Sequence, residues 1–283
     1  MGQKKSPMLQ AHPVVATNTW TDVLRNGWED TVGGLRWWRV WWLLALSDIR
    51  QRYQRSLFGQ FWLTISMGVT IGAIGFVYSV LFHQDMATYL PFLGVGIVCW
   101  GLIAAIVTEG CTAFRQSADF MRQSRLPRSV FVYRMLLRNL IVFGHNLVIV
   151  VLILIVFAVP VGWATLLVIP GLLLTLLTGV WVGLLLGLLC ARFGDLPQVI
   201  ASVVQIAFFI TPVIYKAESA SGRLWVATHL NPFASYLALL RDPLLGQVPE
   251  AMHYAMAIFV MVSGFAVTLP VFSRFRARIV YWL

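Results

Sequence analysis

VFVYRMLLRNLIVFGHNLVIVVLILIVFAV, residues 130–159, is a long apolar run in which no Asp, Glu, Lys or Arg follows Arg138. About 20 such residues in a helix cross the hydrocarbon core of a bilayer. An open strand edge has no hydrogen-bonding partner in lipid, and the run lacks the alternating polarity of a barrel strand. Similar runs occupy residues 58–82, 90–114, 163–191, 199–215 and 252–272. The sequence therefore predicts an all-α membrane protein with six transmembrane helices.

Positive charge falls mainly in alternate gaps between these runs. Lys and Arg are concentrated before the first run, between the second and third, after the fourth and in the C-terminal tail. The gap after the first run has only His83 and Asp85, and the gap near Pro160 has no charge. Because Lys and Arg are enriched in cytoplasmic loops, we expect both termini to be cytoplasmic, in a multi-pass protein of the inner (plasma) membrane.

The composition also fits a membrane protein. The chain of 283 residues is 59% hydrophobic and 11% charged, whereas a soluble domain has about 25% charge. The net charge of +10 raises nucleic acid as an alternative partner, but the arginines are dispersed along the predicted cytoplasmic helix ends, where they meet anionic lipid. We therefore expect this chain to contact membrane lipids and not to bind nucleic acid. The polar residues 1–33 lack the apolar core of a secretory signal and are interpreted as a partly disordered cytoplasmic leader.

Residues 34–56 contain a short apolar run flanked by tryptophans and arginines. The apolar part, residues 40–46, is too short to cross the membrane, and tryptophan settles at the depth of the lipid headgroups. The segment predicts an amphipathic helix on the cytoplasmic membrane face. It serves either as an aromatic anchor or in guiding substrate. The residues assigned to this interface helix are Trp37, Trp38, Trp41, Trp42, Arg50 and Arg52.

The loop at residues 115–129 is rich in arginine and contains Pro127, which ends a short helical stretch. Its apolar centre with a charged surround has the composition of a docking element. A solvated connector that merely follows the positive-charge rule is the alternative, and the loop alone favours that alternative. The candidate docking residues are Asp119, Phe120, Met121, Arg122 and Arg125.

Residues 216–250 contain two moderately apolar pieces, each too short to cross a bilayer, separated by Asn231 and Pro232. They predict a re-entrant helical hairpin that enters from the outer face. Broken helices at membrane depth are tolerated only when protein shields them or when they line a wet cavity, so such a hairpin indicates a gate. An ordinary surface loop fits these residues equally well.

Two opposite charges within the spans, Glu109 and Arg138, are costly in lipid unless they are paired. We interpret them as a structural ion pair near the cytoplasmic side and disfavour a proton relay, which needs ionisable groups across the whole membrane depth. The cysteines Cys99, Cys111 and Cys190 lie in apolar stretches without C-x-x-C spacing, so they are predicted to be buried and not to bind metal.

Motifs for catalysis are absent from the sequence. There is no G-x-x-x-x-G-K-[ST] phosphate loop, no H-E-x-x-H and no G-x-S-x-G. Asp85 is the only acidic residue in the gap after the first span, which disfavours an enzyme that needs a pair of carboxylates there. We therefore expect that the chain does not act as an enzyme by itself and binds no cofactor.

Five segments resemble, in the same order, the permease subunits of ABC type-2 exporters, and most closely those that export O-antigen and other lipid-linked polysaccharides. The segments are RYQRSLFGQFW (52–62), RLPRSVF (125–131), RFGDLPQ (192–198), TPVIY (211–215) and NPFASYLALLRDPLL (231–245). The similarity extends from about residue 36 to the C-terminus. The ordered set, together with the six-span layout, is more specific than any one motif.

The resemblance implies a homodimeric pore in which each copy contacts a separate cytoplasmic ATPase subunit that binds ATP and magnesium. It implies that residues 34–56 are the interface helix, that 115–129 couple to the ATPase and that 216–250 form the external gate. Aromatic side chains near the pore ends are expected to stack on sugar rings: Tyr53, Trp62, Tyr215 and Trp225. The alternatives are a permease of the same family for a drug or small lipid, a membrane-embedded sugar-transferring enzyme and, more weakly, a secondary transporter.

Overall fold

The structure, a computed structural model, describes residues 20–54, 61–81, 83, 85–215 and 230–283. All regular structure in these residues is helical, which confirms the predicted all-α class. The helices are α1 (Trp20–Arg36), α2 (Trp38–Tyr53), α3 (Phe61–Leu81), α4 (Met86–Thr112), α5 (Ala118–Gln123), α6 (Ser129–Val156), α7 (Val168–Arg192), α8 (Leu196–Ile210), α9 (Pro232–Leu244), α10 (Ala251–Phe275) and α11 (Ile279–Trp282). Single 3-10 turns precede α5 and α7 and follow α10.

Five helices in the described residues are long and apolar enough to cross a membrane: α3, α4, α6, α7 and α10. Residues 199–215, predicted as a full transmembrane span, belong mostly to the shorter helix α8. Helix α8 has 15 residues, about 22 Å at 1.5 Å per residue, against a hydrocarbon core of about 30 Å. It ends because Thr211 precedes Pro212 and adopts extended backbone, as residues before proline tend to do. The described residues thus contain five full-length spans and one shorter apolar helix where six spans were predicted.

Helix α9 begins beside the interrupted end of α8. The Asn231 side chain caps α9 by accepting a hydrogen bond from the Phe233 N–H at 3.0 Å, and it donates to Thr211 Oγ1 at 2.9 Å. At the other end, Gly246 adopts φ of 77° and a Cβ there would lie 2.3 Å from the Pro160 carbonyl oxygen. Helix α9 therefore runs from the end of α8 to the turn that connects α6 and α7. One arm of the predicted hairpin would follow the same course. The other predicted piece falls in residues 216–229, outside the described residues.

Helix α4 lies at the centre of the bundle and contacts α3, α6, α7, α8 and α9. The glycines of α7 allow the close helix approach that their spacing predicts. A Cβ at Gly179 would lie 2.6 Å from Leu136 of α6, and one at Gly187 would lie 3.0 Å from the Phe114 ring. Small residues in α7 thus let α4 and α6 pack against it.

The segment before the first span contains two helices, where the sequence suggested a leader followed by one helix. Helix α1 occupies the second half of the predicted leader and packs against α10 and α6. A Cβ at Gly27 would lie 1.7 Å from Ser273 Oγ, so glycine is required for this contact. The predicted interface helix over 34–56 is divided at Trp37, which has φ of −86° and ψ of 30°, and α2 begins after it.

Candidate functional site

The connector between α4 and α6 lies against the arginine-rich end of the bundle, with one side buried and the other exposed. It consists of a 3-10 turn followed by α5. The side chain of Phe120 is 48% exposed, and Asp119, Arg122 and Arg125 are exposed around it. We call these four residues the coupling surface, after the role that the family resemblance predicts for them.

Met121 does not belong to that surface. The sequence predicts Phe120 and Met121 together as the apolar centre of a docking element, but Met121 is only 2% exposed and packs into the core. Successive residues of a helix point about 100° apart, so a one-and-a-half-turn helix lying on the bundle directs one of the two side chains inward. Met121 therefore anchors α5 and leaves Phe120 as its exposed apolar side chain.

Two arginines attach the connector to the spans. The Arg134 guanidinium of α6 lies over the Phe120 ring, 5.7 Å from its centroid, and Nη1 donates to Ser117 Oγ at 3.4 Å. Arg115 Nη2 donates to the Cys190 carbonyl at the end of α7 at 2.9 Å. Arg134 thus joins the connector to α6, and Arg115 joins it to the end of α7.

Beneath the connector, five charged side chains form an ionic network between α2, α4 and α6. Asp48 of α2 accepts hydrogen bonds from Arg134 and from Arg138, the latter at 3.1 Å. Arg138 also donates to Glu109 of α4, with Nη2 2.7 Å from Oε2. Arg52 of α2 lies 3.8 Å from the same carboxylate. The structure thus brings together the predicted pair Glu109 and Arg138 and adds Asp48 and Arg134, which the sequence analysis did not assign to it.

The centre of the network is nearly buried, whereas the side chains of Glu109 and Arg52 at its edge are 24% and 48% exposed. The side chains of Asp48, Arg134 and Arg138 are 13%, 13% and 7% exposed. A buried charge is costly unless it is paired, and removing one partner leaves the other uncompensated. Because the five members come from three helices, a shift of α6 relative to α2 or α4 must exchange these ion pairs. Such discrete exchanges are typical of packed elements that switch between two arrangements.

A second polar cluster fixes the start of α6, immediately after the connector. Asp30 of α1 accepts from the Ser129 N–H at 3.1 Å and lies 3.2 Å from Arg276 Nη1. The first N–H groups of a helix lack partners within it and carry partial positive charge, so a carboxylate stabilises this end. Burial lowers the pKa of the neighbouring Arg128, and the negative charge of Asp30 opposes that shift. Helix α1 therefore ties α6 to the chain after α10.

The tryptophans of the predicted interface helix mostly face outward. Trp37, Trp38 and Trp42 are 48%, 52% and 44% exposed. Trp41 is partly buried, with its ring centroid 6.1 Å from that of Tyr133. The opposite side of α2 packs against α6, while Arg50 is exposed and Arg52 reaches the ionic network. This division suits a helix at the membrane surface.

The structure does not gather the aromatic residues predicted for a substrate path. Tyr53 is the last residue of α2, and Trp62, 56% exposed, is the second residue of α3. Tyr215 lies beyond the far end of α8 and donates to the Ile210 carbonyl at 2.7 Å. Trp225 falls outside the described residues. Their role in transport stays a prediction.

No group of three or more His, Cys, Asp or Glu side chains is placed to hold a metal ion within the part of the chain that the structure describes. The three cysteines are buried and form no disulfide with one another.

Comparison with known proteins places this architecture in a family. The ABC-2 type transporter family matches residues 39–245, which include α3 to α9 and all of α2 except its first residue. An O-antigen export system permease protein RfbA of Klebsiella pneumoniae is 21% identical over 241 residues, covering 83% of this chain and 92% of the relative. A protein of Myxococcus xanthus with the same name is 22% identical over 198 residues, covering 69% and 75%. These matches confirm the resemblance seen in the sequence motifs: the chain is a multi-pass membrane permease and belongs to the ABC-2 type transporter family.

Proposed function

We propose that this chain is the transmembrane permease of an ATP-driven exporter that moves a lipid-linked polysaccharide of the O-antigen kind across the inner membrane. The observation that carries the proposal is the coupling surface, an exposed Phe120 with a charged surround, which Arg134 links to a partly buried ionic network of three helices. The names of its relatives support the polysaccharide cargo, because they are O-antigen export permeases. A drug or small-lipid permease would share the same coupling geometry.

The energy source in this proposal is external to the chain. The sequence contains no G-x-x-x-x-G-K-[ST] loop for nucleotide phosphates. Two cytoplasmic ATPase subunits supply ATP hydrolysis with magnesium, and two copies of this chain form the pore between them. Both termini lie in the cytoplasm in this arrangement, on the side where the arginines are concentrated.

The coupling step begins at α5. Closure of the ATPase dimer displaces Phe120, and the Arg134 guanidinium over its ring carries the displacement to α6. The ion pairs of Asp48 and Glu109 then move α2 and α4 relative to α6. Exchange between two packings of these helices gives an all-or-none response.

Helix α4 carries the movement to the opposite end of the bundle. Glu109 and Phe92 are 17 residues apart in α4, about 25 Å along a helix axis. Near Phe92, the Arg241 guanidinium of α9 lies 4.3 Å from the Phe92 ring centroid, and its Nη1 donates to the Pro212 carbonyl at 2.7 Å. Arg241 thus holds α9 to α4 and to the interrupted end of α8. In the proposal α9 forms part of the external gate, and the lipid-linked headgroup enters beside the Trp-rich α2.

The coupling role is tested with a matched pair of substitutions. Phe120 and Phe193 are 48% and 46% exposed, and each ring lies beneath an arginine at the same end of the bundle. Phe120→Ala removes the apolar centre of the coupling surface, whereas Phe193→Ala removes a similar ring elsewhere. A central aromatic contact typically costs more than 1.4 kcal/mol when truncated, so we expect at least about tenfold weaker binding of the ATPase subunit that co-purifies with the tagged chain.

ATP-dependent surface display of the polymer should fall with Phe120→Ala and not with Phe193→Ala. Equal binding of the ATPase by the two variants would contradict the docking role of α5. Absence of any nucleotide-binding subunit from the purified wild-type complex would contradict the proposed function itself.

A further inference from the structure

A cavity of about 440 Å³ lies within the protomer, between α3, α4 and α6 at mid-depth of the spans. It falls in the usual size range of small-molecule sites, about 300–1,000 Å³. None of the described residues that line it carries a charge. A charged ligand would find no neutralising partner there, so the cavity is suited to a neutral occupant.

Two asparagines of α6 line this cavity. Asn139 and Asn146 are seven residues apart, so they lie on one face of the helix two turns from each other. They are only 5% and 8% exposed. Among the described residues Asn146 Oδ1 has no hydrogen-bond partner, and Asn139 Nδ2 meets only the Met135 sulfur, 3.3 Å away and a weak acceptor.

Such amides are costly at membrane depth unless something bonds to them. Lipid cannot satisfy an amide, and a buried polar group without a partner opposes folding. Leucine has the same branched arrangement of four heavy atoms and would carry no such penalty. Polar side chains in membrane spans mark ligand or substrate pathways when no structural partner accounts for them. Asn146 therefore indicates an occupant that supplies hydrogen bonds.

The other walls match the chemistry of a sugar. Ser66 and Thr70 of α3 line the cavity four residues apart on one helix face. The Thr70 hydroxyl donates to the Ser66 carbonyl at 2.8 Å, so it offers the cavity an acceptor. Trp100 of α4 adds an indole ring, an apolar surface on which the C–H face of a pyranose can pack. Amides and hydroxyls that both donate and accept, beside an aromatic ring and without charge, fit a neutral polyhydroxy group.

We propose that this cavity binds a neutral sugar unit of the transported chain, with the amides of Asn139 and Asn146 hydrogen-bonded to its hydroxyl groups. The inference rests on the proposed function and names a contact site for its cargo. Trp100 links the site to the gate region, because its ring centroid lies 5.8 Å from that of Phe233 in α9 and 5.7 Å from that of Phe208 in α8. Occupancy of the cavity therefore bears directly on the packing of both helices.

The test replaces each amide with leucine and measures surface polymer in cells whose export depends on this chain. Asn146→Leu and Asn139→Leu should each lower export at least fivefold, and Asn146→Gln, which keeps the amide, should retain more export than Asn146→Leu. Thr175→Val is the control, because Thr175 is similarly buried but lies in α7, outside the cavity lining, where its hydroxyl bonds to the Gly171 carbonyl. It should export as the wild type does.

A second measurement separates binding from folding. The purified wild-type complex is heated with and without the host's own polymer, freed from its lipid by mild acid. Polymer should raise the melting temperature of the wild type and Thr175→Val but not of Asn146→Leu, and the leucine variant alone should be no less stable than the wild type.

Wild-type export in both leucine variants, or equal polymer-induced stabilisation of Asn146→Leu, would mean that the cavity holds only water and would overturn this inference alone. If wild-type cells export no glycan through this chain, the proposed function fails first.

Discussion

Asp48→Asn tests the ionic network most sharply, because the substitution keeps the shape of the side chain and removes its charge. Asp48 is 13% exposed and lies between Arg134 and Arg138, so the variant leaves three arginines of the network facing Glu109 alone. Breaking a buried pair in this way costs about 3–5 kcal/mol. We take the lower end, about 3 kcal/mol, because the network is partly open to water at Arg52. At about 2–4 °C per kcal/mol for a chain of this size, the apparent melting temperature should fall by roughly 6–12 °C.

The assay is thermal unfolding of the purified permease in mild detergent, with Asp85→Asn as the control. Asp85 is exposed at the other end of the bundle and its side chain makes no cap hydrogen bond with α4, so its substitution should change stability by less than about 0.5 kcal/mol. Adding Arg134→Met to Asp48→Asn should restore at least about 1 kcal/mol, since it removes the uncompensated charge. Equal melting temperatures for Asp48→Asn and Asp85→Asn would refute the network as a stabilising unit.

Two further predictions concern packing. Gly27→Ala should lower the free energy of unfolding by about 1–3 kcal/mol, because the new Cβ collides with Ser273. The control, Gly33→Ala, should be neutral or stabilising, because a Cβ at Gly33 meets nothing within 4 Å. Unfolding midpoints that shift alike in the two variants would contradict the close packing of α1. Tyr236→Phe should lower the free energy of unfolding by about 1–2 kcal/mol, because the Tyr236 hydroxyl bonds to both α7 and α10. Tyr254→Phe should lower it little, since the Tyr254 hydroxyl has no partner among the described residues. A smaller loss of stability for Tyr236→Phe than for Tyr254→Phe in the same assay would contradict this prediction.

The spans and the central ion pair were predictable from the sequence for simple physical reasons. Long apolar runs have one stable form in lipid, so helices follow from composition. Glu109 is the only acidic residue within the predicted run 90–114, so an in-span arginine was its natural partner. The pairing of Asp48 with Arg134 was not predicted, because the two residues are 86 positions apart and Asp48 lies in a segment interpreted as a membrane-surface helix. Contacts over that separation depend on how helices pack and not on local pattern.

Helix α1 was not predicted, because its segment is polar overall and contains three glycines, which weaken helices. The signal was nevertheless present: Leu24, Trp28, Val32 and Leu35 recur at helical spacing and form one exposed apolar stripe. The inward position of Met121 and the early end of α8 depend on tertiary packing and on Pro212, and neither was evident from apolar periodicity.

ATP-driven export is measured in sealed proteoliposomes that contain this permease with its ATPase subunit and a radiolabelled lipid-linked polysaccharide. Our account predicts that the polymer crosses the bilayer only when ATP, magnesium and both subunits are present, and not when the ATPase cannot hydrolyse ATP. Translocation by the permease alone without nucleotide, or ATP turnover by the complete complex that leaves the polymer on its original side, would contradict it.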